Sequence, residues 1–193
     1  MDAVDRSEQA LWERGVAGDG DAFGLIFDLH RDRVFRHAYR ILQDVHDAED
    51  ATAVAFLELW RRRHRVRRVD GSPLPWLLVT TTNTCRNLDR AKRRYGALLE
   101  GLPHGSPARS AEDIVLDQLT DDEVLAAALG MLGRTDAELF ALVALEHYSI
   151  TDAAAAVGIS PGAARTSMHR ARHALKRELG HQTLASYLSQ EAT

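Results

Sequence analysis

Cysteine is almost absent from this chain, and long apolar runs are absent altogether. Cys85 is the single cysteine among 193 residues, which excludes an internal disulfide framework and a zinc site built on paired cysteines. No apolar stretch approaches the roughly 20 residues that a membrane-spanning helix needs. The acidic, polar start of the chain also lacks the pattern of a signal peptide. We therefore expect a protein of the reducing cytoplasm without membrane insertion.

Signatures of catalysis are missing as well. The nine histidines are scattered, and neither a glycine-rich phosphate loop nor a nucleophile motif is present. We expect no enzymatic activity, no cofactor and no metal site. Hydrophobic residues make up 45% of the chain and charged residues 27%, which is enough apolar material for one ordinary domain or two small ones.

The net charge of -4 conceals blocks of opposite sign. Residues 1–58 hold 13 acids against 6 lysines and arginines, whereas residues 61–95 hold 2 acids against 11. Residues 98–123 are acidic again, and residues 165–178 hold 5 bases against 1 acid. The two basic blocks are the places where binding of a polyanion is to be sought.

The apolar residues recur at the three-and-four spacing of an amphipathic helix almost throughout. In the first half we predict helices that begin near Phe23, Asp47 and Trp76, with a loop before the last of them. The β-branched run at 79–82 would also suit a short strand, but no partner strand is apparent and we favour a helix. The fold class predicted is all-α.

Composition divides the chain into two small helical domains joined by a flexible acidic linker. The stretch after Tyr95 is rich in glycine, proline and acids, which is typical of a tether. The predicted boundaries are residues 8–96 for the first domain, 97–120 for the linker, 121–180 for the second domain and 181–193 for a C-terminal tail.

Residues 151–172 have the pattern of a helix-turn-helix. The first helix is rich in alanine, so another helix can cross it closely. Gly158 supplies the left-handed position that ends this helix, Ser160 caps the next one, and Pro161 occupies its first position, where no amide hydrogen is needed. The sequence therefore predicts a second helix whose exposed face can enter a DNA groove.

The inward positions of that second helix are predicted to be Ala164, Met168, Ala171 and Leu175. The residues predicted to contact DNA are Ser160, Arg165, Thr166, Ser167, His169, Arg170 and Arg172. A helical hairpin with a solvated basic face remains an alternative interpretation.

The segment Asp47-Ala-Glu-Asp50 opens an amphipathic helix. Asp47 in the N-cap position and an acid three residues later are a good helix start, and the helix dipole favours acids there. Capping alone explains these acids, so by themselves they do not establish a binding site.

Taken together, these segments resemble the extracytoplasmic-function (ECF) group of the sigma-70 family, the promoter-recognition subunits of bacterial RNA polymerase. The likeness covers nearly the whole chain. It rests on residues 21–27, the acidic motif at 47–50, the apolar helix end at 56–60, Trp76-Leu-Leu followed by Asn83 and an arginine-rich tail, and the closing unit at 158–172. The first domain corresponds to sigma domain 2 and the second to sigma domain 4.

The resemblance implies two partners, core RNA polymerase and promoter DNA. It assigns Asp47, Glu49 and Asp50 to polymerase binding, although the chain has Ala53 and Val54 where the family commonly has Gln and Glu. It assigns the helix-turn-helix to the minus-thirty-five element. The residues that it assigns to the minus-ten element, whose melting the family promotes, are Arg65, Arg67, Arg68, Asn83, Arg86, Asn87, Arg90, Arg93 and Arg94.

Two further points stay open at this stage. An operator-binding regulator with a helix-turn-helix but without polymerase docking is the alternative function. An anti-sigma factor, which in the family clamps or separates the two domains, is a third partner that the resemblance allows and the sequence does not identify.

Overall fold

The computed structural model describes residues 7–100 and 129–188. These residues are helical throughout, apart from connecting turns and one isolated bridge between Val69 and Ser72. The helices are α1 (Glu8–Val16), α2 (Gly20–Leu42), α3 (Val45–Arg62), α4 (Leu74–Glu100), α5 (Arg134–Phe140), α6 (Ile150–Val157) and α7 (Pro161–Leu188). The all-α prediction is confirmed, and residues 79–82 lie inside α4 rather than in a strand.

Helices continue without a break past two of the predicted domain boundaries. Helix α4 continues to Glu100, beyond Gly96, and α7 continues to Leu188, beyond Gly180. A glycine inside a helix costs only about 1 kcal/mol relative to alanine, so glycine alone does not end one. Residues 101–120 of the predicted acidic linker, residues 121–128 of the predicted second domain and the last five residues of the predicted tail lie outside the described residues.

The first four helices form one bundle. Helix α2 packs against α1, α3 and α4, and its buried face includes Ile26, Val34 and Ala38. Three of the six buried residues of α3 are alanines, which allow the helices to approach closely there. The hydroxyls of Thr81 and Thr82 on α4 donate to carbonyls one turn earlier, so these threonines can be buried without an unmet donor.

The second domain consists of α5, a π-helical turn over Ala141–Leu145, α6 and α7. Its core contains Phe140, Leu142 and the alanines of α6, against which α7 packs. Helix α4 of the first domain contacts α5, the π turn and α6. The two domains therefore share an interface, and buried apolar residues of both belong to one continuous core.

The described residues also allow two statements about sites and spans. Within 7–100 and 129–188, no three His, Cys, Asp or Glu side chains are grouped so that they could hold a metal ion. In the same residues, no helix combines the length and the apolar character that crossing a bilayer requires.

Candidate nucleic-acid interface

The N-terminus of α3 carries the acidic motif, but its cap lies three residues earlier than predicted. Asp44 has extended backbone angles, and its side chain accepts a hydrogen bond of 2.9 Å from the amide of Asp47. This hydrogen bond lowers the pKa of the Asp44 carboxyl. The prediction that Asp47 is the N-cap is wrong, because the chain leaves α2 through the left-handed Gln43 and Asp44 is the next extended residue.

Asp47 is instead held by the neighbouring helix. Its carboxylate forms an ion pair with Lys92 of α4, and this hydrogen bond raises the pKa of the Lys92 ammonium group. Glu49 and Asp50 are exposed on α3. The three predicted polymerase-binding acids are thus accessible or nearly so, and one of them is oriented by a lysine from the basic block.

Beside Glu49 lies an open groove of about 420 Å³ between α2 and α3. Phe27, Phe35 and Ala53 give it an apolar floor, and charged residues line its rim. Val54 and Leu57 are exposed on α3 as well. Ala53 and the exposed Val54 therefore leave an apolar surface next to the acidic motif.

The loop between α3 and α4 is a compact basic turn. Val69 and Ser72 exchange backbone hydrogen bonds of 3.0 and 3.1 Å around Asp70 and Gly71, which both have positive φ. Val69 is buried and anchors the loop on the bundle. Arg65, Arg67 and Arg68 remain exposed around this anchor.

The predicted minus-ten residues of α4 fall into two groups. Asn87, Arg90, Arg93 and Arg94 are exposed, and Arg93 forms an ion pair with Asp89 one turn earlier. Asn83 and Arg86 face the second domain. Arg86 is only 4% exposed, and this burial lowers the pKa of its guanidinium group.

Each residue of the second group has a partner across the interface. The Asn83 amide donates to the Glu138 carboxylate at 2.7 Å, and Arg86 donates to the carbonyl of Leu132. Arg67 of the loop donates to the carbonyl of Val157 at 3.4 Å, at the end of α6. Sequence reasoning missed these contacts, because no local pattern links residues so far apart in the chain.

The helix-turn-helix forms as predicted. Helix α6 ends at Gly158, whose φ of 85° is left-handed, and the Ser160 hydroxyl accepts from the amide of Ala163 at the start of α7. Ala164, Met168, Ala171 and Leu175 are all buried. Arg165, Thr166, His169 and Arg170 are exposed on the opposite face, and Arg172 is half-buried.

Ser167 does not lie on that exposed face, so its predicted placement is wrong. It is 2% exposed, and its hydroxyl hydrogen-bonds to Asp136 of α5, which also pairs with Arg170. Position 167 follows Ala164 by three residues and precedes Ala171 by four, which places it at the edge of the inward face. That spacing is the signal that sequence reasoning overlooked.

Comparison with known proteins assigns the two domains to a family. The chain is 32% identical over 173 residues to the RNA polymerase sigma factor CarQ of Myxococcus xanthus, an alignment that spans 89% of this chain and 97% of CarQ. It is also 31% identical over 182 residues to the ECF RNA polymerase sigma factor SigM of Mycobacterium tuberculosis, with 92% of this chain and 87% of SigM covered. The chain belongs to the ECF group of the sigma-70 family. The family models for sigma-70 region 2 and sigma-70 region 4 match residues 26–95 and 122–175 of this sigma factor.

Other relatives agree with this assignment. The sigma factor is 34% identical over 151 residues to the ECF RNA polymerase sigma factor SigE of Mycolicibacterium smegmatis, covering 76% of this chain and 57% of the length of SigE. The solved structure of CnrH in complex with the cytosolic domain of CnrY has the same fold. Its TM-score is 0.58 at 24% identity, with 89% of this chain and 96% of that chain covered.

Proposed function

We propose that this sigma factor binds core RNA polymerase, directs it to promoters and promotes melting of the minus-ten element. The observation that carries this proposal is the presence, in one chain, of two separate basic surfaces for DNA and an acidic helix start beside an apolar groove. A simple operator-binding regulator needs only the helix-turn-helix, so the first domain would have no purpose in that alternative.

Polymerase docking is proposed for the start of α3. Asp47, Glu49 and Asp50 provide negative charge, and the adjacent groove over Phe27 and Phe35 provides apolar area. Such a combination of a desolvated apolar centre and a charged rim is typical of protein interfaces. We infer that Ala53 and Val54 extend the apolar part of this surface.

Minus-ten recognition is proposed for α4 and the loop before it. Extrusion of a base from the duplex costs a few kcal/mol of stacking, which contacts to the strand must repay. The proposed contacts are those of Arg65, Arg67, Arg68, Asn83, Arg86, Asn87, Arg90, Arg93 and Arg94.

Minus-thirty-five recognition is proposed for the exposed face of α7. Arg165, Thr166 and His169 are exposed on this face, and we assign to them the base edges and phosphates of the major groove, with Ser160, Arg170 and Arg172 as further contacts. Ser167 has an indirect role in this proposal: it holds Asp136, which in turn orients Arg170.

In this proposal the sigma factor has no catalytic activity, because the polymerase itself carries out nucleotide polymerisation. We propose that the sigma factor acts in the cytoplasm, where the chromosome lies. CnrH was solved with the cytosolic domain of CnrY. We propose by analogy that this chain also forms a complex with a protein partner, an anti-sigma factor.

Reconstitution with bacterial core polymerase tests the proposal. We expect specific run-off transcripts from genomic fragments and loss of polymerase binding in Asp50→Lys. Glu13→Lys is the matched control, because Glu13 is an exposed acid of α1 outside the proposed interface. Binding of genomic DNA without any binding of core polymerase would favour the operator-binding regulator instead.

A further inference from the structure

An acid of α5 contacts the side chain of an exposed arginine on α7. The Asp136 carboxylate accepts hydrogen bonds from Nη2 and Nε of Arg170 at 3.0 and 3.4 Å, one on each oxygen. The Ser167 hydroxyl donates to the same carboxylate, and its oxygen accepts from Nη2 of Arg170 at 3.2 Å. Two carboxylate oxygens on one edge of a guanidinium form a fork contact, which fixes geometry as well as adding energy. Arg170 is thus attached to a helix that lies outside the helix-turn-helix.

This contact is buried on the side of the acid and open on the side of the arginine. Ser167 is 2% exposed and the Asp136 side chain 16%, whereas the Arg170 side chain is 62% exposed. Burial opposes ionisation of Asp136, but the hydrogen bonds from Arg170 and Ser167 hold the pKa of the carboxyl below its ordinary value. An exposed arginine that would otherwise populate many rotamers is therefore held in one conformation before any ligand binds.

One edge of the Arg170 guanidinium remains available. Within the described residues, the hydrogen bonds of Arg170 use Nε and Nη2 and none uses Nη1. Because Ser167 and Asp136 are hydrogen-bonded to each other, both accept on the same side of Nη2. The remaining edge therefore presents donors alone, from Nη1 and from the second hydrogen of Nη2. Two such donors match O6 and N7 of guanine in the major groove, where each of the other bases presents a donor or a methyl group.

A phosphate fits this arrangement less well than a base. The charge of Asp136 offsets that of Arg170 and repels a phosphate, whereas the edge of a guanine has no net charge. Arg165 provides the comparison, because it is exposed on the same helix and takes part in no ion pair among the residues that the structure describes. Pairing with an acid thus weakens Arg170 as a phosphate ligand and improves it as a reader of base edges.

We propose that Asp136 is a positioning residue for promoter recognition, which together with Ser167 holds Arg170 in the conformation that reads a guanine of the minus-thirty-five element. This inference rests on the proposed function, which supplies the DNA role of α7. It adds α5 to the elements that determine the promoter sequence, although α5 precedes the helix-turn-helix and none of its residues belongs to the predicted DNA-contacting set. One base pair is then specified jointly by Arg170 and by the acid that holds it.

Sequence selection by the reconstituted holoenzyme tests this role. A promoter recovered by run-off transcription is randomised in its minus-thirty-five region, and the fragments that the holoenzyme retains are sequenced. In the wild type we expect a guanine preferred about tenfold at one position. Asp136→Asn keeps the shape of the side chain without its charge and should lower this preference severalfold, and Arg170→Ala should remove it at the same position. The double variant should resemble Arg170→Ala, because Asp136 acts through Arg170.

Two variants of the same domain are the matched controls. Asp152→Asn alters an acid that accepts a hydrogen bond of 2.6 Å from Ser149 at the start of α6, and Arg165→Ala removes the exposed arginine that no described acid holds. Both should keep the guanine that Arg170 reads. The other selected positions, together with circular dichroism, report whether the second domain is folded in each variant.

The outcomes separate this inference from the proposed function. A guanine preference that persists in Asp136→Asn or in Arg170→Ala would overturn the positioning role and leave the proposed function intact. Loss of every selected position in Asp136→Asn would overturn it as well, because Asp136 would then support the fold of the domain rather than one contact. Transcription by a wild type that selects no minus-thirty-five sequence would refute the DNA role of α7 and this inference with it. Failure of the wild type to initiate at any genomic fragment would refute the proposed function itself.

Discussion

The carboxylate of Glu146 lies 2.9 Å from the imidazole of His37, although 109 residues separate the two in the chain. This pair joins the second domain to α2. The Nε2 of His37 forms a second hydrogen bond, to the hydroxyl of Thr82 on α4. The bond therefore connects the helix-turn-helix domain to the two helices that organise the first domain. Its chemistry makes the contact sensitive to pH.

Acid should open the domains. Burial opposes ionisation of Glu146, but the hydrogen bonds and charges of His37 and Arg33 outweigh it and hold the carboxyl pKa below its ordinary value of 4.5. A carboxylate with a lowered pKa stabilises the folded contact fully at pH values above its ordinary pKa. This stabilisation is lost as the pH falls through the lowered pKa. We expect the distance between spin labels on Asp28→Cys of α2 and Ala155→Cys of α6, two exposed positions, to lengthen in that acidic range when it is measured by double electron–electron resonance.

The matched control for this pH effect is Glu146→Gln. The groups that face position 146 are His37 and Arg33 of α2 and the neighbouring Tyr148, whose pKa is raised by burial and so does not titrate in acid. The variant should show the longer distance already at neutral pH and no further transition below pH 4.5. A transition of equal size in the variant would assign the effect to other carboxyls.

Gly158→Ala should destabilise the second domain. The residue has a φ of 85°, and a side chain in the left-handed region costs about 1–2 kcal/mol. The added Cβ would also meet the guanidinium of Arg67, which would have to move. Gly24→Ala is the control, because Gly24 lies in α2 with open space around it and should gain about 0.5–1 kcal/mol. Urea unfolding of both variants measures the difference, and equal stabilities would contradict the structure.

Ser167→Ala and Thr166→Ala should separate a structural from a DNA-contacting position. Ser167 is buried against Asp136, so its loss should cost about 1–2 kcal/mol of stability by leaving that carboxylate short of a donor. Thr166 is exposed, and its removal should leave the unfolding midpoint nearly unchanged while weakening promoter binding. Thermal unfolding and fluorescence anisotropy with promoter DNA provide the two measurements. If Thr166→Ala were less stable than Ser167→Ala, the placement of Ser167 on the buried side of α7 would be wrong.

Asp44→Ala should lower the thermal midpoint of the first domain, whereas Asp50→Ala should not. Asp44 accepts the backbone bond that starts α3, and the Asp50 side chain is exposed with no role in capping. Polymerase affinity should respond in the opposite way, with Asp50→Ala the weaker binder. Equal midpoints in the two variants would show that the cap contributes little to this helix.

Local rules explain what the sequence predicted well. The turn of the helix-turn-helix follows from Gly158, Ser160 and Pro161, each of which has a conformational preference that acts within a few residues. The errors are also local in scale: Asp47 in place of Asp44 as the cap, and Ser167 on the wrong side of α7. The cap was placed three residues too late, and Ser167 lies at the edge of the inward face, where its spacing from Ala164 and Ala171 already indicates burial.

The amino-acid sequence by itself determined the helical class, the two basic surfaces, the acidic motif and the family, because periodicity, capping and charge are written along the chain. Only the tertiary structure decided that Asn83 and Arg86 are covered and that Glu146 faces His37 and Arg33. Such pairs depend on how two domains meet in space. Their energy comes from burial and from hydrogen bonds between distant segments, for which no spacing in the sequence provides a signal.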